Sequence, residues 1–290
     1  MINVQSSLKK VSIISFLSFL LLCVASFPWM EKDKVLRTNF ELEEVSHIDM
    51  NTVYLLNANG YLTEVSVFIG KTSLEDEVLK IFELLKETTP EENFSGYLPK
   101  KIEVLNVLKV DDVLYVVLND EAKGLSDEAV SGVVHSLLAI KGVRKVSIQI
   151  GTAEPKLYDK SYPINRVIHF VERKNISKVV VYYLDEDRKH FVPVTKYENN
   201  SDDKISIIIE ELKENVPDHL VSYFNTHTKL LDYREENNMM ILNFSSDLVS
   251  DKSCEEDIIN SICYSVFHNY DVGSVSIEID GTPYKLVGDD

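Results

Sequence analysis

The stretch VYYLDEDRKHFVPV (residues 181–194) sets two β-rich runs on either side of a polar turn. Runs of this composition predict a pair of strands, so the stretch is typical of a β-hairpin. An acidic cluster next to a histidine is also typical of a metal site or a catalytic group. The turn contains the charged residues Asp185, Glu186, Asp187, Arg188 and His190.

A second stretch helps to decide between these interpretations. VYLLNANGYLTEVSV (53–67) has the same strand pattern, but NANG (57–60) stands where the first stretch has DEDR (185–188). Asn, Gly and Asp are all turn residues, so the two stretches share turn chemistry and not charge. A calcium loop beginning at the first Asp would need Gly and Glu where the chain has His190 and Lys196. We interpret the cluster as a solvated hairpin tip and a contact point for a basic partner, and we predict no metal or cofactor.

The similarity extends along the chain. VRKVSIQI (143–150) matches VGSVSIEI (272–279), and IFELLKE (81–87) matches IIEELKE (208–214). The offset stays between 127 and 129 residues, and chance similarity between short apolar runs would not keep both order and register. The sequence therefore predicts two copies of one domain: a first copy at 50–157 and a second copy at 177–290.

Each copy has the same predicted order of elements, ββαββαβ. This order indicates an α+β fold in which two helices pack on one face of a sheet. Gly142 and Gly273 stand at the turns from helix to strand, where glycine adopts a positive φ at little cost. Serine or aspartate precedes three helices in a position to cap them: Ser73, Ser126 or Asp127, and Ser253.

The segment between the copies (158–176) is not a flexible Gly/Ser linker. Its apolar residues predict that it packs and that the two copies touch in a fixed relative orientation. These residues are Ile164, Val167, Ile168, Phe170 and Val171.

The order of elements, the tandem duplication and three stretches resemble the GerMN domain, which is named for sporulation and spore-germination proteins. The stretches are VYYLDEDRKHFVPV (181–194), TKLLDYREENNMMILNFSSDL (228–248) and YDVGSVSIEIDGTPY (270–284). Asp280-Gly281 matches the family's usual Asp-Gly loop, whereas the first copy keeps Gly151 without the acid. The Leu-Pro pair that the family places before its third strand stands at Leu98-Pro99.

The resemblance implies the fold and a setting rather than a catalytic mechanism. Proteins of this family are implied to be non-enzymatic and anchored in the cell envelope. Some act between mother cell and forespore, where domains of the ring-building type help to assemble a channel-like complex. Related domains also occur in envelope lipoproteins that influence sensor kinases, so a ligand-binding regulatory module is the alternative.

The charge of the chain limits its partners. The formal net charge is −17, which disfavours nucleic acid and anionic lipid and favours a basic protein. Tyr54 and Tyr182 recur between the copies, so we expect them in the core or on the hairpin face. Four tyrosines without a counterpart are candidates for an interface, either with another envelope protein or in self-association: Tyr162, Tyr223, Tyr233 and Tyr270.

The N-terminal segment (1–30) has the features of a membrane anchor. Residues 11–30 carry no charge and are long enough to span a bilayer, and Lys9 and Lys10 precede them. A cleaved signal peptide and a lipoprotein signal ending at Cys23 are the alternatives. All three place residues 31–290 outside the cytoplasm, with 31–49 as a spacer.

Catalytic motifs are absent from the sequence. It contains no Gly-x-Ser-x-Gly, P-loop or His-Glu-x-x-His signature, so we predict that the protein is not an enzyme and has no catalytic residues. Cys254 and Cys263 lack zinc spacing and are expected to be small core residues. The seven histidines form no sequence signature: His47, His135, His169, His190, His219, His227 and His268.

Overall fold

Each copy begins with an antiparallel hairpin. The computed structural model describes residues 50–70, 72–89, 93–166, 176–199 and 203–288. In the first copy, β1 (Met50–Leu56) pairs with β2 (Leu62–Phe68). In the second copy, the longer β9 (Ile176–Asp185) pairs with β10 (Phe191–Asn199). Short strands extend the hairpin sheets: β3 (Thr88–Thr89) and β4 (Phe94–Ser95) in the first copy and β11 (Leu220–Val221) in the second.

A second, four-stranded sheet follows in each copy. The inner two strands are parallel because a helix connects them, and the outer two are antiparallel to their neighbours. In the first copy the order is β5 (Val104–Val110), β6 (Val113–Leu118), β7 (Lys145–Ile150) and β8 (Lys156–Asp159). In the second it is β12 (Leu230–Glu236), β13 (Met239–Phe244), β14 (Ser274–Ile279) and β15 (Thr282–Gly288).

Four α-helices accompany these sheets in the described residues. They are α1 (Leu74–Leu84), α2 (Asp127–Leu138), α3 (Lys204–Glu214) and α4 (Glu255–Asn269). One 3₁₀ turn precedes α2 (Asp120–Gly124) and another precedes α4 (Ser246–Val249). The α+β class and the tandem duplication predicted from sequence are therefore confirmed.

Two of the three predicted helix caps are present. Ser73 Oγ accepts from the backbone N–H of Asp76, and Ser126 Oγ accepts from that of Ala129. The cap predicted at Ser253 is wrong. Cys254 occupies the N-cap position of α4 and makes no side-chain cap bond, whereas Ser253 lies in a turn, where its hydroxyl donates to Asp251 Oδ1 at 2.7 Å.

The structure adds a strand to the end of each predicted copy, β8 and β15. In the second copy, Asp280-Gly281 forms the turn between β14 and β15, with φ angles of 49° and 79°. Positive φ at both central residues is typical of the two-residue hairpin turn that Asp-Gly favours. This dipeptide was therefore a signal for the extra strand.

The two glycines at the helix-to-strand turns differ. Gly142 has a φ of 74°, as predicted. Gly273 does not adopt a positive φ, so that part of the expectation is wrong. A Cβ atom at Gly273 would lie 2.7 Å from the side-chain amide of Asn238, so a larger residue would displace that side chain.

Side chains of the second helix complete the open edge of the first strand in each copy. Ser136 Oγ on α2 accepts from the N–H of Tyr54 at 2.9 Å. Ser265 Oγ on α4 accepts from the N–H of Tyr182, also at 2.9 Å. One turn further along α4, the amide of Asn269 both donates to and accepts from the backbone of Val180. These bonds satisfy buried groups that the ladders leave open and position each helix on its strand.

Each copy has its own apolar core, and a third cluster joins the two. The described residues belong to one compact unit. The joining cluster consists of Tyr54, Leu62, Ile164, Val180 and Tyr182. Ile164 is fully buried there, whereas the other apolar linker residues lie outside the described residues, together with the N-terminal segment and spacer (1–49). None of the described helices has the length and apolarity that crossing a membrane requires.

One core position differs chemically between the copies. In the second copy, Lys196 Nζ lies 2.6 Å from Glu211 Oε2, and both side chains are buried. The ammonium also donates to the carbonyl of Asn215. Strand register places Val67 of β2 where β10 has Lys196, and the match between residues 81–87 and 208–214 aligns Leu84 with Glu211. Both apolar side chains pack at the edge of the first core.

We predict that removing one member of the buried ion pair destabilises the protein more than removing both. Lys196→Val or Glu211→Leu alone leaves an uncompensated buried charge and should lower the free energy of unfolding by about 3–5 kcal/mol. The double variant copies the apolar pair of the first copy and should unfold within about 1 kcal/mol of the parent. Urea unfolding of the four proteins tests this. A double variant as unstable as the sum of the singles would contradict it.

Candidate functional site

The interface between the copies is the most elaborate polar arrangement in the described structure. Asn165, from the linker, lies between the two hairpins. Its side chain exchanges hydrogen bonds with the backbone of Leu62 in β2 and donates to the carbonyl of Pro193 in β10. The neighbouring residue, Ile164, exchanges hydrogen bonds with Thr195. The linker therefore bridges β2 and β10.

Two histidines meet at this interface, one from each copy. The rings of His135 (α2) and His268 (α4) have centroids 6.0 Å apart. His135 Nε2 lies 2.8 Å from the carbonyl of Tyr162, and His268 Nε2 lies 3.0 Å from that of Lys160. Because a carbonyl only accepts, each Nε2 carries the proton. Burial lowers the pKa of His135 to about 4 and that of His268 to about 3, so both rings are neutral near pH 7.

A hydrogen bond connects Tyr182 to His268. The hydroxyl of Tyr182 lies 3.3 Å from His268 Nδ1 and donates to it, because that nitrogen is unprotonated in the neutral ring. Burial raises the pKa of Tyr54, and the neighbouring Tyr182 and Glu64 raise it further. Burial also raises the pKa of Glu64.

An open cleft of about 1080 Å³ lies between the two copies, beside Tyr182 and His268. Its wall combines the polar groups of Glu64 and His268 with the aromatic rings of Phe94, Phe191 and Tyr264. The rings of Phe191 and Tyr264 pack edge to face, with centroids 5.0 Å apart. A cleft with aromatic walls and convergent polar groups has the general form of a ligand-binding site.

The acidic stretch 185–187 lies in a hairpin turn. Asp185 Oδ1 accepts from the N–H of Lys189, and Asn57 Oδ1 plays the same part in the first copy, for Asn59 and Tyr61. Of the charged residues, Asp185 also contacts His190, and Arg188 pairs with Asp257 on α4. Glu186 contacts His219 at 3.3 Å. No group of three or more acidic, His or Cys side chains in the described part of the chain is arranged to hold a metal ion.

The four tyrosines predicted as interface residues all have partners within the chain. Tyr162 packs on Tyr158, and Tyr223 lies under the guanidinium of Arg188, 4.5 Å away. The Tyr233 hydroxyl donates to Asp203, and the carbonyl of Tyr270 accepts from Lys160. These contacts do not test a role in binding another protein, so that role stays a prediction.

The remaining candidates fall in three groups. Cys254 and Cys263 are free and buried, and burial raises the pKa of Cys263 to about 12. His227 is exposed in its loop. His47, His169 and Cys23 lie outside the described residues.

Sequence reasoning missed the meeting of His135 and His268 because the two do not align in the repeat. A signal was present in the aligned serines, Ser136 and Ser265. They mark the side of each helix that packs against the first strand of its copy. His268 follows Ser265 by three residues, so it lies on that same face.

Comparisons with known proteins agree with this organisation. A family model described as Germane, sporulation and spore germination, matches residues 52–154 and 180–285, one match in each copy. The spore germination protein GerM of Bacillus subtilis (strain 168) is 24% identical in an alignment 271 residues long, which covers 82% of this chain and 74% of that protein. The solved tandem GerMN domains of the sporulation protein GerM from Bacillus subtilis superpose with a TM-score of 0.70, at 24% identity. That match covers 82% of this chain and 96% of the solved one, and it shows the shared fold.

We predict that His135 makes the protein sensitive to acid. Its folded pKa, about 4, lies below the unfolded value of about 6.5, so the unfolded chain binds the proton more readily. The contribution of neutral His135 is complete above pH 6.5 and is lost as the pH falls towards 4. Between pH 7 and pH 5 this amounts to about 2 kcal/mol.

His135→Gln keeps a donor for the carbonyl of Tyr162 but cannot be protonated. The variant should therefore lose less stability than the parent between pH 7 and pH 5, measured by thermal unfolding at both values. His227→Gln, at an exposed histidine, is the matched control and should follow the parent. Identical pH dependence in all three proteins would contradict the prediction.

Proposed function

The chain belongs to the Germane family of sporulation and spore germination proteins, and from this we propose that it is a non-enzymatic assembly protein of the cell envelope. It acts in sporulation or germination by binding other proteins. The observation that carries the proposal is the family match, which covers both copies in the same order. The inter-copy interface supports it, because Asn165 and the buried cluster hold the two copies as a fixed pair of binding surfaces.

In this proposal the N-terminal segment anchors the protein. Residues 11–30 form an uncharged segment after Lys9 and Lys10, and the positive-inside rule then directs residues 31–290 to the extracytoplasmic side. A single anchor places the copies at the membrane surface, with 31–49 as the spacer. This arrangement suits a ring or channel complex between mother cell and forespore, whose components must all face the same compartment.

The charge distribution favours basic proteins as partners. The chain carries a formal net charge of −17, and two of its acids, Glu186 and Asp187, are exposed at the hairpin tip. Charge of one sign steers a partner of the opposite sign and selects against acidic competitors. The same charge argues against nucleic acid as a partner.

We expect disruption of the gene to reduce the yield of heat-resistant spores or the rate at which spores germinate. The full-length chain should restore the defect. A chain lacking 11–30 should not restore it, because it loses its place at the membrane. A matched control replaces 11–30 by an unrelated membrane-spanning segment of the same orientation, and it should restore function. Normal spore yield and germination in the disrupted strain would contradict the proposed role.

The inter-copy cleft favours a second candidate, an envelope module that senses a ligand and regulates a membrane kinase. Its volume of about 1080 Å³ is large enough for a small molecule, and Glu64 and His268 lie in its wall. A ligand there would contact both copies and could alter their relative arrangement.

Native mass spectrometry of the protein purified from its own cells tests this candidate. Under the assembly proposal we expect no small molecule bound to the chain. A bound small molecule that Phe191→Ala removes, and that Leu231→Ala on the exposed edge of β12 does not, would favour the sensor instead.

A further inference from the structure

The outer face of the four-stranded sheet in the first copy is an exposed apolar surface. Inward-facing residues of β6, such as Leu114 and Val116, are buried, so Tyr115 between them points outwards. The strand register places Leu108, Tyr115, Ser147 and Leu157 side by side across the four strands. Of these, Leu108 is 55% exposed, Tyr115 is 42% exposed and Leu157 is 60% exposed.

Neighbouring residues enlarge this surface. Val110 is paired with Val113 in the next row of the same face. Leu105 lies at a bulge where β5 loses register with β6, and it is 58% exposed. Bulges at sheet edges commonly redirect a side chain towards a binding partner. We call this surface the apolar sheet face, defined as Leu105, Leu108, Val110, Val113, Tyr115 and Leu157.

The second copy has the same fold but not the same face. Register places Arg234, Ile241, Ser276 and Leu286 in the equivalent row. Arg234, which takes the place of Leu108, bonds to Glu278 at 2.9 Å and also contacts Glu236 and Asp232. Ile241, beside it, is only 5% exposed. Leu286, at the other end of this row, is 64% exposed. The two copies therefore differ at one edge of the row, where the fold accepts either the charged Arg234 or the apolar Leu108.

The charges on the apolar sheet face favour an identical face as its partner. Its outward positions carry one base and one acid, Lys145 and Asp159, which are neighbours across β7 and β8. This face is thus electrically balanced in a chain whose formal net charge is −17. Two chains would repel each other through most of their surfaces but not through this one. Against the charged outer face of the second copy, the apolar residues would leave Arg234 and its carboxylates desolvated.

We propose that the apolar sheet face pairs with the same face of a second copy of this chain, giving a symmetric dimer. The inference rests on the proposed function, because it names one contact by which the protein assembles. Four strands about 4.8 Å apart and six residues long present roughly 400 Å². This is less than the ~800 Å² per partner of a standard interface. The dimer is therefore weak in dilute solution and is favoured when chains are concentrated on one membrane.

Site-specific photocrosslinking in the full-length chain tests the proposal. Tyr115, at the centre of the face, is replaced by photoreactive benzoylphenylalanine, and the adducts are identified by mass spectrometry. We expect a self-adduct of twice the chain mass. The same replacement at Tyr284, exposed in the second copy, should give at least tenfold less.

Surface substitutions then identify the face. Leu108→Arg, which introduces the residue type of the second copy at an exposed site, should reduce the self-adduct at least tenfold. Leu286→Arg, in the second copy, should leave it unchanged. Leu157→Lys is a second variant of the same face, with the same expected loss, should Leu108→Arg disturb folding as judged by its circular dichroism spectrum.

Three outcomes would overturn the proposal: no adduct at position 115, an adduct only with a different protein, or a self-adduct that survives both face variants. An adduct with a different protein would leave the assembly function intact while removing self-pairing. The spore assay is independent of crosslinking, so failure of the proposed function is distinguishable from failure of the dimer.

Discussion

In each copy, the first strand has an edge whose backbone groups are not all paired with another strand. The rest of the structure depends on how these groups find hydrogen-bond partners. β1 pairs with β2 along its length, but on its other side only Leu56 pairs, with a residue of β4. The N–H of Tyr54 therefore faces a buried region without a strand partner, and Ser136 of α2 accepts it. Ser265 of α4 does the same for Tyr182. A buried N–H without a partner costs about 1–3 kcal/mol. Each serine therefore supplies the missing partner at the strand edge and, in doing so, positions its helix on that strand.

That constraint brings the two copies together. Once α2 and α4 lie on their strands, Tyr54 and Tyr182 contact each other, and His135 and His268 face each other between them. Ile164 and Asn165 of the linker then bridge the two hairpins. A neutral pair of histidines suits this interface, because two charged rings 6.0 Å apart would repel each other.

Local patterns predicted local structure well. The hairpins, the caps at Ser73 and Ser126 and the tandem repeat all depend on neighbouring residues or on self-similarity, which a sequence displays directly. The capping prediction at Ser253 was wrong because α4 begins one residue later than the sequence suggested, so that Cys254 and not Ser253 stands at the N-cap position. The histidine contact could not be predicted, because it depends on the relative placement of two copies. The ion pair of Lys196 and Glu211 could not be predicted either, because one charge lies on a strand and the other on a helix, and the sequence does not show that the two meet.

The duplication separates what the fold requires from what it permits. Positions that hold the helices on the strands are the same in both copies, as at Ser136 and Ser265. Positions that differ, such as Val67 against Lys196 or Leu108 against Arg234, show that the fold accepts either apolar or charged side chains there. An exposed leucine at a position that also accepts a charged residue does not stabilise the folded state, because its apolar surface stays in water. The apolar sheet face of the first copy is therefore best explained by a contact outside the chain. In the second copy Arg234, with its carboxylate partners, interrupts the equivalent row, so the contact that we propose belongs to the first copy.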